Sequence, residues 1–458
     1  MKLQLGDEYN AFVEAYKNEA YRGFRINRFK ISERNEEHML KDFGKIARVP
    51  WTDTGYYYGE ELKPGKHPLF DAGAYYIQEP SAMLPAELID IHPGDIVLDL
   101  CAAPGGKSTR LAERLFLAGG GGFLIANEYV ASRAKILSSN IERLGISNAV
   151  VLNESPDSLE TKFAGFFDSI LVDAPCSGEG MFRKNPEAIS EWSPANVELC
   201  AKRQRDILSS AHEMLKPGGC MVYSTCTFAP QENEENIRWF CDEFPDMELV
   251  EEKHVYPHRV EGEGHFVAKL VKNPGNSICE GAVFASDRVT SGDRMISGRD
   301  RGKGKKKTSR GGSKPAADIK EAIKAFEKFE DEYLNVRVPD SKKRFELFGE
   351  RLFLVPKDMP SFEGIKCVSP GLELGTLKKN RFEPAHALAM YLAPGDVRAY
   401  FELGNDAAHY QAGNVIDIEN PSEEQSGWIL MCVDGIPTGW GKLAGGRIKN
   451  HYPKGLRR

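Results

Sequence analysis

The sequence predicts an α/β protein built on a doubly wound, mostly parallel sheet, with smaller regions on both sides of it. Three observations predict this. From about Ala72 to Asn273, short apolar runs alternate with stretches of helical periodicity, the pattern of a parallel sheet covered on both faces by helices. A glycine turn stands between the first of those runs and the helix that follows it. A glycine- and lysine-rich stretch then divides this part from a strand-rich remainder, and polar, flexible composition of that kind builds no core.

Within the central part, Ile96 to Leu100 reads as a short apolar strand and Lys107 to Leu117 as the helix after it. Gly122 to Asn127 is a second strand. Ala131 to Leu144 is helical, with Ile136, Ile141 and Leu144 at suitable spacing. Ala149 to Leu152 and Ser169 to Asp173 are the third and fourth strands. Val197 to Leu215 is a long helix ended by the turn Lys216 to Gly219, and Cys220 to Thr225 is a fifth strand. Asn233 to Phe244 is a helix and Gly264 to Val271 a final strand.

The flanks read differently. Phe12, Val13 and Tyr16 fall at helical spacing near the start. Between Tyr21 and Lys30, the cations Arg22, Arg25, Arg28 and Lys30 interleave with Tyr21, Phe24 and Phe29. Such mixing suits an RNA surface; a half-buried strand with a solvated charged face fits equally. Gly298 to Pro315 is basic and glycine-rich, either a phosphate-touching linker or a solvated spacer. After Ala316 a short helical segment carries Ile323, Phe326 and Phe329. Strand signals follow at Val397 to Phe401, Val415 to Ile418 and Trp428 to Val433, and Asp434-Gly435 has the chemistry of a tight hairpin turn. The expected division is 1–71, an N-terminal RNA-binding region; 72–274, the catalytic domain; 275–315, a basic linker; 316–383, a connecting domain; and 384–458, a strand-rich domain. A chain ending near Asn273 is expected to keep the central fold. In the last domain Lys442, Arg447, Lys449, Lys454, Arg457 and Arg458 offer phosphate contacts and Tyr452 a stacking ring.

Bulk numbers narrow the class. A chain of 458 residues exceeds one ordinary core. At 41% hydrophobic and 28% charged it reads as globular and soluble. No apolar run is long enough for a bilayer, and Met1 to Asn10 lacks an apolar signal core, so a cytoplasmic protein with no membrane partner is expected. A formal net charge of −7 argues weakly against nucleic acid, but a basic patch can sit on an acidic chain. The nine cysteines are scattered, without a repeated Cys-x-x-Cys pair, so neither a disulfide framework nor a metal site is expected.

Two places carry chemistry. The first is the loop Cys101, Ala102, Ala103, Pro104, Gly105, Gly106 and Lys107, between the first strand and its helix. Doubly wound sheets bind ligands there, at the carboxyl ends of strands. The two glycines let a ligand approach the backbone, and the helix amino terminus favours an anion such as a carboxylate. Glu128, after the second strand, suits two ribose hydroxyls. The three-glycine dinucleotide fingerprint is missing, and a P-loop would need glycine where Cys101 stands. The second place is a pair of turns: Asp173 to Gly180 after the fourth strand, and Ser224 to Phe228 after the fifth. If those strands are neighbours, Cys176 and Cys226 open into one crevice. A thiolate adding to carbon 6 of a cytosine makes carbon 5 able to attack a methyl sulfonium. A base must then take the proton from carbon 5. Asp173 is placed to stabilise the adduct, and Lys107 to favour a thiolate or hold Asp173.

At these residues the chain closely resembles the NOP/Sun-type RNA cytosine-5 methyltransferases, and within them the bacterial ribosomal RNA enzymes of the RsmF type. The segments that carry the resemblance are Tyr76 to Met83, Leu98 to Ser108, Val172 to Lys184 and Tyr223 to Phe228. The resemblance implies a class I methyltransferase fold, Rossmann-like, that binds S-adenosylmethionine, with a PUA-like RNA-binding domain at the C-terminus. It implies that Cys101 to Lys107 form the cofactor loop and that Glu128 holds the ribose. Asp173 lies where cofactor and target base meet, Cys226 is the nucleophile, and Cys176 assists breakdown of the covalent adduct. Family members often carry an acid near the adenine after the third strand. Here that position is Ser155, with Asn153 and Asp157 as alternatives. The implied substrate is 16S ribosomal RNA or the small ribosomal subunit. Transfer RNA methylation by the same chemistry, or a non-catalytic RNA-binding assembly factor, are the alternatives. The latter has no need of two cysteines, Asp173 and Lys107 together.

Overall fold

The computed structural model describes residues 1–275, 318–338, 342–379, 381–418 and 426–457. The basic stretch Gly298 to Pro315 and Arg458 lie outside the described residues.

Among the described residues the central unit is an eight-stranded sheet. Its strands are β1 (Ile96–Asp99), β2 (Phe123–Asn127), β3 (Ala149–Leu152), β4 (Phe167–Asp173), β5 (Leu215–Thr225), β6 (Met247–Val255), β7 (His265–Lys272) and β8 (Cys367–Ser369). They lie in the order β6-β7-β5-β4-β1-β2-β3-β8. The five strands β1 to β5 run parallel, and β6, β7 and β8 are antiparallel to their neighbours. Strand order turns back at β1, so a crevice opens at the carboxyl ends of β1 and β4. The helices are α1 (Gly106–Leu117), α2 (Ala131–Arg143), α3 (Pro156–Phe163), α4 (Pro194–Met214) and α5 (Glu234–Glu243). Alternating strand residues feed two cores. Leu98, Ile125, Val150, Ile170 and Val172 face one; Val97, Leu124, Val151, Leu171 and Val222 face the other. On α2 it is Ala134, Leu137 and Ile141 that are buried, whereas Ile136 points outward, half exposed.

The N-terminal region forms a four-stranded antiparallel sheet from Gly23–Ile26, Ile46–Arg48, Gly55–Tyr58 and Tyr75–Ile77. Three of the four cations of the basic-aromatic stretch turn inward here. Phe24 is fully buried and Arg25 is 2% exposed. Arg25 donates to Gln78 Oε1 (2.9 Å), to the Gly106 carbonyl (2.7 Å) and to Thr109 Oγ1 (2.9 Å). Arg28 pairs with Glu36 at 2.6 Å, and Lys30 Nζ donates to the Ala72 carbonyl at 2.6 Å. These cations satisfy internal acceptors, and buried polar groups demand such partners.

The C-terminal part opens with a helix, Ile319–Tyr333, and holds two sheets. One is built from Lys343–Phe348, Arg351–Pro356, Leu372–Lys378 and Arg381–Pro384. The other contains Tyr400–Glu402, Ile416–Asp417, Gly427–Val433, Ile436–Ala444 and Arg447–Asn450. Asp434 and Gly435 have φ of 49° and 73°, the left-handed pair that a two-residue hairpin turn requires. Tyr452 is 3% exposed and packs edge-on against Tyr410 and His386, so it cannot stack on a base. These sheets are not a detached tail. Leu403, Tyr410 and Met431 share one apolar cluster with Phe24, Ile26 and Tyr75. The short β8 extends the catalytic sheet beside β3.

Candidate active site

The glycine loop is fixed from below. Asn127, at the end of β2, donates to the carbonyls of Leu100 (3.2 Å) and Glu154 (3.0 Å), tying together the ends of β1, β2 and β3. The Ala102 amide donates to the Asn127 carbonyl. Arg133 and Asn140, on α2, hold the carbonyls of Ala103 and Pro104 at 2.7 and 2.9 Å. Gly105 adopts φ 112°, a conformation that favours glycine. An added Cβ at Gly106 would lie 3.0 Å from the Gln78 amide, so side chains are kept out of this turn. Asp99 ends β1 fully buried. Its Oδ2 accepts from Ser108 Oγ at 2.6 Å, while Oδ1 is a buried acceptor without a partner among the described residues. Burial pushes its carboxyl up to about 7. Cys101 is partly buried, and desolvation followed by the charge of Asp99 raises its thiol far beyond the usual range, so it stays a thiol.

Glu128 follows β2 and is 3% exposed. Its Oε1 accepts from the Val130 amide at 2.8 Å, and Oε2 lies 3.4 Å from Arg133. Asn153 commits its side-chain amide to the carbonyls of Glu128 and Tyr129, at 2.7 and 2.8 Å. Ser155 stands as the residue before α3, and Asp157 lies in its first turn. Next to them the Asn153 amide donates to the Lys366 carbonyl (2.8 Å), and the Lys366 amide donates to Glu154 (2.7 Å). The strand β8 thus arrives beside the far edge of the glycine-loop crevice.

The cysteine turns meet as neighbouring strands should. Strands β4 and β5 pair in parallel, with Asp173 opposite Ser224. Lys107 Nζ donates to Asp173 Oδ2 at 2.7 Å, and Ser224 Oγ to Asp173 Oδ1 at 2.8 Å. Burial opposes charge on both partners. The attraction between them wins, so Lys107 is raised and Asp173 lowered from their ordinary values. Cys176 Sγ lies 3.2 Å from Cys226 Sγ and 3.3 Å from the Cys226 amide. The hydrogen bond with Cys226, followed by burial, raises the Cys176 thiol well above its usual value. Glu232 fastens both turns. It accepts from the Ser177 amide (3.0 Å), from Ser177 Oγ and from Gln204 (2.8 Å), and Ser177 Oγ contacts Thr227 Oγ1 at 2.8 Å.

Lys107, Asp173, Cys176 and Cys226 therefore form one cluster, and Cys101 to Gly106 and Glu128 line the same end of the sheet. Sequence reasoning passed over Asp99, Glu232, Ser81 and His265, all buried here. Asp99 lies inside a quoted motif and was legible; the others gain meaning only through partners distant in the chain. Among the described residues no group of three or more His, Cys, Asp and Glu is arranged to hold a metal ion. No helix among them is long and apolar enough to cross a membrane.

Comparison with known proteins fits this geometry. The profile described as 16S rRNA methyltransferase RsmB/F matches residues 86–271, and the N-terminal domain of 16S rRNA methyltransferase RsmF matches 1–80. The RsmF first C-terminal domain matches 328–392, and the RsmF PUA domain matches 402–458. A ribosomal RNA small subunit methyltransferase F from Aliivibrio salmonicida is 33% identical over 473 residues, covering 97% of this chain and 93% of that protein. The chain belongs to the RsmF family. A relative of the same description from Salmonella agona is 32% identical over 98% of this chain and 92% of its own length. Among solved structures, a methyltransferase homologue from Pyrococcus horikoshii is 33% identical with a TM-score of 0.51, covering 58% of this chain and 91% of that one. NSun6 from the same organism, crystallised with SFG, shares the fold at 22% identity, with a TM-score of 0.52 over 58% of this chain and 94% of that one. The resemblance read from the four motifs is thereby borne out, as are the methyltransferase fold and the PUA domain at the end of the chain.

Proposed function

We propose that this RsmF-family protein methylates carbon 5 of cytosine in 16S ribosomal RNA, in the cytoplasm, with S-adenosylmethionine as donor and Cys226 as nucleophile. The observation that carries this reading is the pair of sulfurs 3.2 Å apart beside the Lys107–Asp173 pair. The cofactor fits the residues at the other end of the crevice. Asp99 offers a buried oxygen without a partner among the described residues, Glu128 a buried carboxylate, and Cys101 to Gly106 a turn braced by Arg133, Asn140 and Asn127. Glu128 would hold the ribose hydroxyls, and Ser155, Asn153 or Asp157 would border the adenine. When bound, the cofactor supplies an electrophilic methyl group.

The chain's own residues supply the rest. Cys226 Sγ adds to carbon 6, and carbon 5 becomes nucleophilic. Positive charge near the ring nitrogen comes from Lys107, which is held protonated. Asp173, whose carboxyl Lys107 holds below its ordinary value against burial, would stabilise the adduct by accepting from an amino group of the base. Cys176 donates towards or accepts from Cys226 and is placed to help the thiolate depart. The test is methyl transfer to 16S RNA taken from cells that lack the enzyme, followed by bisulfite sequencing. Wild type should protect specific cytosines, and Cys226→Ala should lose at least about a hundredfold in rate, the scale of removing a nucleophile or its activating partner. Transfer close to the wild-type rate would overturn the nucleophile. Methylation confined to transfer RNA would overturn the substrate.

A further inference from the structure

The chemistry proposed above needs a base at carbon 5, and a buried histidine stands at the cysteine turns. On the ladder of β5 and β7, Phe266 is opposite Thr225 and Val267 opposite Ser224. One step beyond, His265 falls opposite Cys226. Val267 packs in the same cluster as Val222 and Leu171. Strand alternation therefore puts His265, Ser224 and Asp173 on one face of the sheet. The turn at Gly180 closes the strand ends: its amide donates to the Cys226 carbonyl at 2.9 Å, and its carbonyl accepts from the Gly264 amide at 3.2 Å. His265 is 3% exposed.

Its proton can be placed. Ser81 Oγ has a single hydrogen, which it donates to Glu79 Oε2. The 2.8 Å contact between Ser81 Oγ and His265 Nδ1 must then run from Nδ1–H to the oxygen. Nε2 is left with its lone pair. Glu79 is anchored in turn by the amides of Ala82 and Glu263, both at 2.9 Å. Burial works against its charge, but Lys184 and the hydrogen bonds from Ser81 and the Glu263 amide hold it below its ordinary value. Burial, and after it the charge of Lys107, push His265 down to about 4, so the lone pair is available at neutral pH.

We propose that His265 Nε2 takes the proton from carbon 5 of the methylated cytosine adduct, with Ser81 and Glu79 as the relay that stabilises the imidazolium. This rests on the cytosine-5 reading. The carbon 5–hydrogen bond breaks, and its electron pair becomes the double bond between carbons 5 and 6. The carbon 6–sulfur pair returns to Cys226 as thiolate. The proton passes to Nε2 and later to water. A weak base suffices, because the elimination restores the conjugation of the ring.

The experiment uses full-length enzyme, RNA carrying tritium at carbon 5 of cytosine, and S-adenosylmethionine with a radiocarbon methyl group. Wild type should release one tritium for each methyl transferred; methyl transfer without any release would refute the cytosine-5 reading and the base with it. In His265→Gln, methyl incorporated should exceed tritium released by about tenfold or more, within the range of lost acid–base catalysis, and a covalent protein–RNA adduct should accumulate. Added imidazole should restore release in His265→Gly. Methyl incorporation and tritium release falling in step, or both unchanged, would overturn the assignment. So would uncoupling in Cys176→Ala but not in His265→Gln. If His265→Gln does not bind S-adenosylmethionine, Ser81→Ala decides, since it keeps the imidazole and cuts only the relay. Slower release at unchanged methyl incorporation would support the proposal, and parallel loss or no change would refute it.

Discussion

Two cation-rich stretches, one near each end of the chain, look alike in composition and meet opposite fates. Between Tyr21 and Lys30 the cations Arg25, Arg28 and Lys30 turn inward, while Arg22 stays near the surface beside Glu60. Arg25 braces the carbonyl of Gly106 in the glycine loop, and Lys30 reaches the Ala72 carbonyl. Near the other end, Lys442 stays at the surface with its ammonium 5.6 Å over the Trp428 ring, and Lys449 is exposed close by. Together with Arg381 and His451 they line a cleft of about 300 Å³. The difference lies in what surrounds each stretch. The first runs along a central strand, where an arginine fork reaches Gln78, the Gly106 carbonyl and Thr109 at once. The second lies on two inner strands of the last sheet, Ile436–Ala444 and Arg447–Asn450, where Lys442 and Lys449 stand opposite each other at the surface, a placement that suits phosphate contacts.

The comparison can be broken most severely by cutting the chain. A protein ending at Asn273 loses β8 and uncovers the edge of β3, together with the partners of Asn153 and Glu154. Contrary to the expectation from sequence, it should be poorly soluble and bind S-adenosylmethionine at least about tenfold more weakly, a loss on the scale of one charge-assisted hydrogen bond. Calorimetry at equal folded fraction checks this, and wild-type affinity would show that the C-terminal part is dispensable to the cofactor. A smaller effect is expected from Arg25→Met. It removes the Arg25 donor from Gln78 Oε1 and Thr109 Oγ1, while the Gly106 carbonyl keeps the Thr109 hydroxyl, and should cost about 3 kcal/mol in urea unfolding, given about 1–3 kcal/mol for each buried group left unpaired. A cost under about 0.5 kcal/mol would mean that Arg25 is surface-like after all. The smallest effect on the fold is expected from Lys442→Ala with Lys449→Ala. Stability should stay within about 0.5 kcal/mol. RNA affinity should fall, with the slope of log affinity against log salt reduced by about 1 to 2 units. An unchanged slope would remove these lysines from the RNA surface.

How far the sequence spoke depends on whether a signal was local. The strands β1 to β5 were legible because each is an apolar run closed by a turn. Strand β6 was not: Glu248, Glu251, Glu252 and Lys253 hide its periodicity, as suits an edge strand. Strand β8 is only three residues long and takes its identity from β3, far away in the chain. In the site, Lys107, Asp173, Cys176 and Cys226 lay in compact motifs whose spacing carried the chemistry. Glu79, Ser81 and His265 come together across more than 180 positions, and Glu232 reaches Ser177 across 55. No pattern within either segment announces such a meeting. The buried Arg25 shows the converse failure, in which a local pattern suggested exposure and a distant carbonyl decided otherwise.

The eighth strand also orders the birth of the protein. Strands β1 to β7 are complete once Lys272 has been made, but the sheet gains its last member only when Cys367–Ser369 follows. During vectorial synthesis the edge of β3 is therefore left open while the intervening residues are added, and an open edge invites pairing with other chains. The long connection costs little in closure entropy, which grows only slowly with length. A nascent chain thus carries Lys107, Asp173, Cys176 and Cys226 well before it can seal the sheet beside β3, and the finished fold waits on a segment that supplies none of them.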